Sequence, residues 1–310
     1  MNNAWMLRSL LLLRLVFSAA VLAFCWQGGR PGLGVLLALL LFFAYPIVLL
    51  PNFLALRWIN RGRGAGHAQA PSWAQLLRAW WRELPVSEHV LSGLLPFAEH
   101  AVPDFLPANA ATRRGVLLVH GFACNRGLWA AWMRRLQAEG HPCMALSLEP
   151  LFGSIDHYAE PIEAAVQRLS AACGGQAPVL VGHSMGGMAI RAWWRRHGGP
   201  DRVRRVMTLG TPHGGTLLAQ FSPATNARQM RPDSPWLREL AAQEAAELGA
   251  QFDCYFSRCD QMVCPAQTAV LPGSQAMELQ AIGHLAMVFE PRVLDDLLQL
   301  LLRPEHEKTP

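Results

Sequence analysis

The run Gly182-His183-Ser184-Met185-Gly186 follows a short apolar stretch at residues 178–181 and precedes a helical pattern carrying Met188, Ala189, Ile190, Ala192 and Trp193. A serine between two glycines at a sharp strand-to-helix turn has its Oγ exposed, because a side chain at either glycine position would clash within the turn. That chemistry is nucleophilic acyl transfer. The Met185 backbone N–H opens the following helix, where it can point at a developing oxyanion. The five-residue pattern is weak by itself, the alternative being a glycine-rich turn with an incidental serine. The flanking strand and helix give it weight.

Two further runs accompany this turn: His120-Gly121-Phe122 after the apolar segment 115–119, and Leu209-Gly210-Thr211-Pro212-His213-Gly214-Gly215-Thr216 after the next strand. On these motifs residues 115–302 resemble the α/β-hydrolase superfamily and, within it, bacterial lipases and esterases. The resemblance implies a second oxyanion donor, the backbone N–H of Phe122. A serine is a poor nucleophile unless an imidazole takes its proton and a carboxylate holds that imidazole. In this superfamily the chain order is serine, acid, histidine. Of the eleven histidines only His284 and His306 follow every plausible acid, and His306 sits in the polar tail. His284 is therefore the expected base. Asp260 follows a strand at 252–256 in Ser-Arg-Cys-Asp-Gln-Met-Val-Cys-Pro, which resembles the family's acid loop of Ser, Asp and a later Val-x-Pro. Asp253 and Asp233 are weaker alternatives. A few lipases stabilise this loop by a disulfide, so the resemblance makes Cys259 and Cys264 a candidate pair in an oxidising compartment; in cytosol they would be reduced. His183 is expected to pack under the turn and His213 to position the loop beside the pocket.

From residue 113 onward strand and helix patterns alternate, with strands at 115–119, 143–148, 178–181, 252–256 and 277–282 and helices at 127–138 and 158–172 and before 302. This predicts an α/β class and an α/β-hydrolase fold, a mostly parallel sheet with helices on both faces. Residues 217–250 form an insertion where hydrolases carry a lid, containing Gln229-Met230-Arg231-Pro232, similar to a segment of lipases, and Ser234 as an N-cap beside Pro235. A solvated surface helix is the alternative.

Ahead of this domain, residues 31–56 carry no charge. A span needs about 20 apolar residues. Residues 33–53 are expected to form a transmembrane helix kinked at Pro46 and ending near Pro51, and residues 9–24 a shorter one whose Arg14 snorkels to the interface. Trp5, Trp26 and Trp58 mark the outer edges. A cleaved signal peptide is the alternative for the first stretch. Arg57, Arg61 and Arg63 against Arg30 in the turn put both termini in the cytoplasm by the positive-inside rule. Residues 62–70 read as a linker. Residues 72–84 read as an amphipathic helix, either on the bilayer surface or packed on the following domain, and 96–107 as an irregular connection. The expected plan is a membrane hairpin at 1–61, a linker and amphipathic helix at 62–112, a hydrolase domain at 113–303 with a lid at about 217–250, and a tail at 304–310.

Composition agrees with a membrane-attached enzyme: 310 residues, 52% hydrophobic and only 16% charged, with mean hydropathy +0.17, exceed the apolar content of an ordinary soluble domain. The net charge of +5 permits contact with anionic lipid or nucleic acid without demanding either. Lys308 is the only lysine, so no phosphate-binding loop can form. Seven cysteines contain no C-x-x-C, H-E-x-x-H is absent, and neither metal nor cofactor is expected. The expected function is a membrane-anchored serine hydrolase of the inner bacterial membrane, with its hydrolase domain cytoplasmic, cleaving carboxylic esters with lipophilic acyl chains. Its partners would be that substrate and membrane lipid, with no nucleic acid. Thioesterases and acyltransferases share the machinery, and a catalytically retired membrane scaffold is the rival from another class. A serine nucleophile argues against epoxide or haloalkane hydrolysis.

Overall fold

The chain begins with α1 (Asn3–Gln27), α2 (Pro31–Phe42) and α3 (Ala44–Ile59), described here in a computed structural model covering residues 3–60, 70–245 and 247–303. The expected linker (but for Ala70), Arg61, Arg63, and the tail with His306 lie outside the described residues. Of the two expected spans, 9–24 lies within α1, while 33–53 does not form one helix. α1 has 25 residues and is, among the described residues, the one helix long and apolar enough to cross a membrane. The stretch 33–53 breaks at Phe43 into α2 and α3. Pro46 has no N–H to offer the Phe42 carbonyl, and the Arg14 guanidinium donates to that carbonyl instead. Arg14 does not snorkel: it pairs with Glu88 at 3.0 Å and Ser92 Oγ at 3.2 Å, with its guanidinium 4.7 Å from the Phe42 ring centroid. α3 is a helix of the body, since its Leu49, Phe53 and Leu56 pack with Leu76, Ala79, Cys259 and Cys264.

The start of α1 is also docked. Asn3 Nδ2 donates to the Cys124 carbonyl at 2.6 Å, Arg8 Nε donates to the Pro96 carbonyl at 2.7 Å, and Leu7 joins the core beside Val90, Leu95 and Leu128. α4 (Trp73–Glu88) starts where Ser72 and Gln75 form a capping box. It buries Leu76, Ala79, Glu83 and Ser87 and leaves Trp73, Leu77 and Trp81 exposed, so it packs on the domain by one face while the opposite face remains apolar and open. A π-helical stretch, His89–Leu94, leads into α5 (Leu95–Phe97). The irregular connection follows, adding one antiparallel bridge, Phe105 to Cys143, to the sheet.

The sheet contains β1 (Val116–Val119), β2 (Cys143–Leu146), β3 (Val179–His183), β4 (Arg205–Leu209), β5 (Phe252–Phe256) and β6 (Gln275–Glu278), in the order β2-β1-β3-β4-β5-β6. Every pairing is parallel. Strands covered on both sides read as continuous apolar runs, which is why β1 and β3 are legible. Alternation divides them: Val116, Leu118, Val179 and Val181 face the core of α6 (Ala130–Ala138) and α11 (Pro291–Leu302), while Leu117, Val119 and Leu180 face that of α7 (Ala159–Ala172) and α8 (Met185–His197). β6 ends four residues before the expected boundary at 282, leaving 279–284 as a loop.

The insertion holds α9 (Thr225–Gln229) and α10 (Pro235–Gln243), the latter capped by Ser234. It is tied to the body rather than solvated on all sides. Gln229 accepts from the Ile155 N–H at 2.8 Å, Trp236 donates to Asp156 at 2.9 Å, and Leu237 and Leu240 are buried. Arg231 donates to the Ala219 and Ser222 carbonyls, which gives the Gln-Met-Arg-Pro segment a structural task.

Candidate active site

Ser184 follows the apolar β3 as the N-cap of α8 and has φ 55° and ψ −127°. For a non-glycine residue this is a strained conformation, sustained only where the surroundings over-determine it. The turn has no slack: a Cβ on Gly186 would stand 2.3 Å from the Val119 carbonyl oxygen. Met185 is the first residue of α8, so its N–H has no partner within the helix. Phe122 lies on the loop after β1, which contains Ala123 at φ 55°. His120 shapes that loop: its Nε2 accepts the Leu148 N–H and its Nδ1–H donates to the Gly121 carbonyl, both at 2.8 Å. Burial lowers the His120 pKa to about 4, so the ring stays neutral, as these roles require. Among the described residues the amides of Phe122 and Met185 have no hydrogen-bond partner.

His284 Nδ1 lies 2.9 Å from Asp260 Oδ2, and the two residues are 6% and 2% exposed. The other oxygen, Asp260 Oδ1, accepts the Met262 and Val263 N–H groups at 2.8 and 2.9 Å. The carboxylate is thereby fixed in rotation. Burial alone would lower the His284 pKa, but the charge and hydrogen bond of Asp260, with the charge of Glu83, raise it above the ordinary 6.5. A proton on Nδ1 donated to Asp260 leaves Nε2 free to accept another.

The elbow and this pair come together at the carboxyl ends of the central strands. His183 pairs with Leu209 in the sheet, the Ser184 N–H donates to the Leu209 carbonyl at 2.8 Å, and the next residue, Gly210, lies against His284 and Asp260. The His183 ring centroid is 4.6 Å from that of His284, and His183 Nε2–H donates to the His284 carbonyl at 3.2 Å. Burial, then the neighbouring His284, keep His183 well below 6.5, so it is a neutral support beneath the turn. His213 lies elsewhere, 3.1 Å from Thr208 Oγ1, with its carbonyl taking Arg191 Nη1–H. It lines a cavity of about 570 Å³, with Arg191, Leu237 and Leu248, that none of the five expected site residues touches.

All seven cysteines are free, so Cys259 and Cys264 form no disulfide. Both are buried, and burial pushes their pKa values up to about 12 and about 11. The loop is held instead by Asn60, whose Nδ2 donates to the Arg258 carbonyl at 3.3 Å and whose Oδ1 accepts the Ala266 N–H at 3.1 Å. Sequence reasoning missed Asn60, because nothing local marks a residue that acts 200 positions away. It also missed Gln261, whose Oε1 accepts the His284 N–H at 3.0 Å. Among the described residues no three His, Cys, Asp or Glu side chains gather as a metal-binding set.

Comparison with known proteins agrees with this architecture. The family described as "alpha/beta hydrolase fold" matches residues 115–252. The chain is 36% identical over 142 residues to a triacylglycerol lipase of Burkholderia plantarii, a match covering 42% of this chain and 39% of the lipase. It is 30% identical over 132 residues to a probable esterase of Oryza sativa subsp. indica, covering 38% of this chain and 46% of the esterase. The match thus spans less than half the length of these curated relatives. Among solved structures, Aspergillus fumigatus lipase B superposes with TM-score 0.53 at 14% identity, over 62% of this chain and 53% of that one. The mature form of a Bacillus licheniformis lipase gives 0.50 at 14%, over 61% and 92%. At such identities the structural likeness is one of fold. The chain has an α/β-hydrolase fold and is lipase- and esterase-like over its matched region.

Proposed function

We propose that the protein is a membrane-anchored serine hydrolase that cleaves carboxylic esters with lipophilic acyl groups. The observation that carries this reading is the strained Ser184 just after β3, next in the chain to His183, whose ring centroid lies 4.6 Å from that of His284 in a buried His284–Asp260 pair 2.9 Å apart. Ser184 Oγ attacks the ester carbonyl carbon while His284 Nε2 takes its proton. Asp260 fixes the ring's tautomer and stabilises the imidazolium. The Phe122 and Met185 N–H groups stabilise the tetrahedral oxyanion. The C–O bond to the alcohol then breaks, and His284 returns the proton to the leaving oxygen. A water activated by the same imidazole hydrolyses the acyl-enzyme, regenerating Ser184. A lipophilic substrate is supported by the aromatic side chains beside the elbow: the Phe122 and Phe152 ring centroids are 5.7 Å apart, and Phe152 is half exposed.

The anchor in this reading is the α1–α2 hairpin. At 25 residues α1 is about 37 Å long, against roughly 30 Å of hydrocarbon. Trp5 and Trp26 are exposed near its two ends, with Arg30 at the turn. α2 is shorter and ends where Arg14 meets Glu88, so an ion pair neutralises the charge of Arg14 within α1. The body and the N-terminus lie on one side of the bilayer. Arg8 and Arg57 against Arg30 favour the cytoplasmic side.

Fluorophosphonate labelling and p-nitrophenyl ester hydrolysis by detergent-solubilised protein test the proposal. Wild type is expected to label and to turn over, and Ser184→Ala to do neither. Labelling that persists in Ser184→Ala refutes it.

A further inference from the structure

We propose that Glu83, on α4 and some 200 residues before the base, is a positioning residue for His284. The inference rests on the reading of His284 as the proton acceptor. Glu83 is 1% exposed, and each of its oxygens is engaged. Oε1 accepts the Leu285 N–H at 2.9 Å and the Gln261 Nε2–H at 2.8 Å; Oε2 accepts the Ala286 N–H at 3.0 Å. Gln261 in turn accepts the His284 N–H at 3.0 Å. Three consecutive amides, 284 to 286, are thereby held by two side chains.

The geometry explains why an outside group is needed. His284 is the N-cap of the short 3₁₀ helix Leu285–Phe289, but its side chain makes no capping hydrogen bond, because the ring is turned to Asp260. The first N–H groups of that helix would otherwise be buried without acceptors, at a cost of about 1–3 kcal/mol each. Glu83 supplies the acceptors from another element. A glycine precedes the histidine for the same reason, since a Cβ on Gly283 would stand 2.5 Å from Glu83 Oε2.

Glu83 is met only by N–H donors, which select the carboxylate form. Burial raises its pKa, and those donors together with His284 act against the rise. Ionised, the form these donors select, Glu83 places a second negative charge behind the imidazole. The charged or titratable groups facing His284 are Asp260 at Nδ1, Glu83 behind its backbone, and His183, which is neutral. When His284 takes the serine proton, both carboxylates favour the imidazolium.

The test uses the full-length, detergent-solubilised protein, with kcat and KM for p-nitrophenyl butyrate measured across pH for wild type, Glu83→Gln, Glu83→Asp and Ser184→Ala. Glu83→Gln is isosteric but uncharged and offers a single acceptor oxygen. It is expected to lower kcat roughly ten- to a hundredfold and leave KM within about twofold. The acidic limb of its kcat profile should move to lower pH by on the order of half a unit. Glu83→Asp keeps the charge at shorter reach and should restore the limb but only part of kcat. An unchanged kcat in Glu83→Gln, or a lowered kcat with the limb unmoved, overturns the proposal. Should Glu83→Gln fail to fold, Gly283→Ala decides: it keeps every hydrogen-bonding group but pushes on the carboxylate, and a wild-type kcat there overturns the proposal as well. Hydrolysis surviving in Ser184→Ala is a separate failure, that of the serine mechanism, since that variant leaves Glu83 untouched.

Discussion

Gly210 lies against His284: at φ +53° it occupies a place where a Cβ would stand 3.0 Å from His284 Nδ1 and 2.9 Å from Asp260 Oδ2. The turn after β4 therefore forms one wall of the imidazole's seat. Gly210→Ala must both accept a left-handed backbone, at about 1–2 kcal/mol, and push on the pair. We expect kcat to fall roughly a hundredfold and Tm to drop by about 2–4 °C. Kinetics and a thermal melt on the same preparation check this, and a wild-type kcat would show that the seat tolerates a methyl group.

Asp260→Asn isolates tautomer control. The asparagine oxygen can still accept from Met262 and Val263 N–H, so its NH₂ then faces His284 Nδ1. That nitrogen must become the acceptor, the proton moves to Nε2, and the ring can no longer take one from Ser184. A loss of kcat on the order of 10³–10⁴ is expected, with little change in far-UV circular dichroism. A loss below tenfold would mean that another acid serves the histidine. Asp253 is a poor substitute because it is already paired with Arg205.

The pH dependence has a definite sign. On the proposed mechanism catalysis needs neutral His284, whose pKa the carboxylates of Asp260 and Glu83 hold above 6.5 despite its burial. Activity should therefore rise through a limb centred above 6.5. Stability runs the other way across the same window. A raised histidine pKa adds stability that is fully present below the unfolded value and is lost as pH rises through the folded one. Profiles of kcat/KM and of Tm against pH should slope in opposite directions there. An acidic limb centred below 6.5 would refute the assignment of the net effect to the carboxylates.

The parts of this site that the sequence makes legible are those encoded locally. β5 reads as Phe252–Phe256 because aromatic and apolar residues surround Asp253, and the elbow reads because strand, glycines and helix adjoin Ser184. Phe122, Met185, Asp260 and His284 follow from motifs and chain order, and the structure gathers them at one end of the sheet. What escapes is tertiary. Residues 33–53 read as a single apolar helix, yet Pro46 frees a carbonyl that Arg14 takes, and α3 turns into the protein. The apolar content predicts burial without saying whether lipid or the acid loop supplies it. Glu83 likewise reads as one more charge on an amphipathic helix, although it sits at i+7 from Leu76 on the buried face, a placement that singles it out.

The hairpin's tip gives the last prediction, because its position distinguishes the ways in which α1 can meet a bilayer. Asn3, Leu7 and Arg8 are fixed to the body, so on the proposed topology the near end of α1 stays on the body's side of the bilayer. Beyond Arg14, which is tied to Glu88, α1 rises about 18 Å to Trp26, against roughly 30 Å of hydrocarbon, so a spanning hairpin requires the docked half of α1 to enter the bilayer as well, and Gln27 and Arg30 are polar residues suited to the opposite interface. Gln27 is exposed, and Cys25, the only cysteine of the seven that is not buried, can be replaced by serine to remove background labelling. A Gln27→Cys variant in that background, treated in bacterial spheroplasts with a membrane-impermeant maleimide, should label without permeabilisation, while inverted vesicles should not. Labelling only in inverted vesicles would put tip and body on the same side. Labelling only after detergent would stop the hairpin within the bilayer. Either result overturns the spanning anchor while leaving the hydrolase chemistry to its own tests.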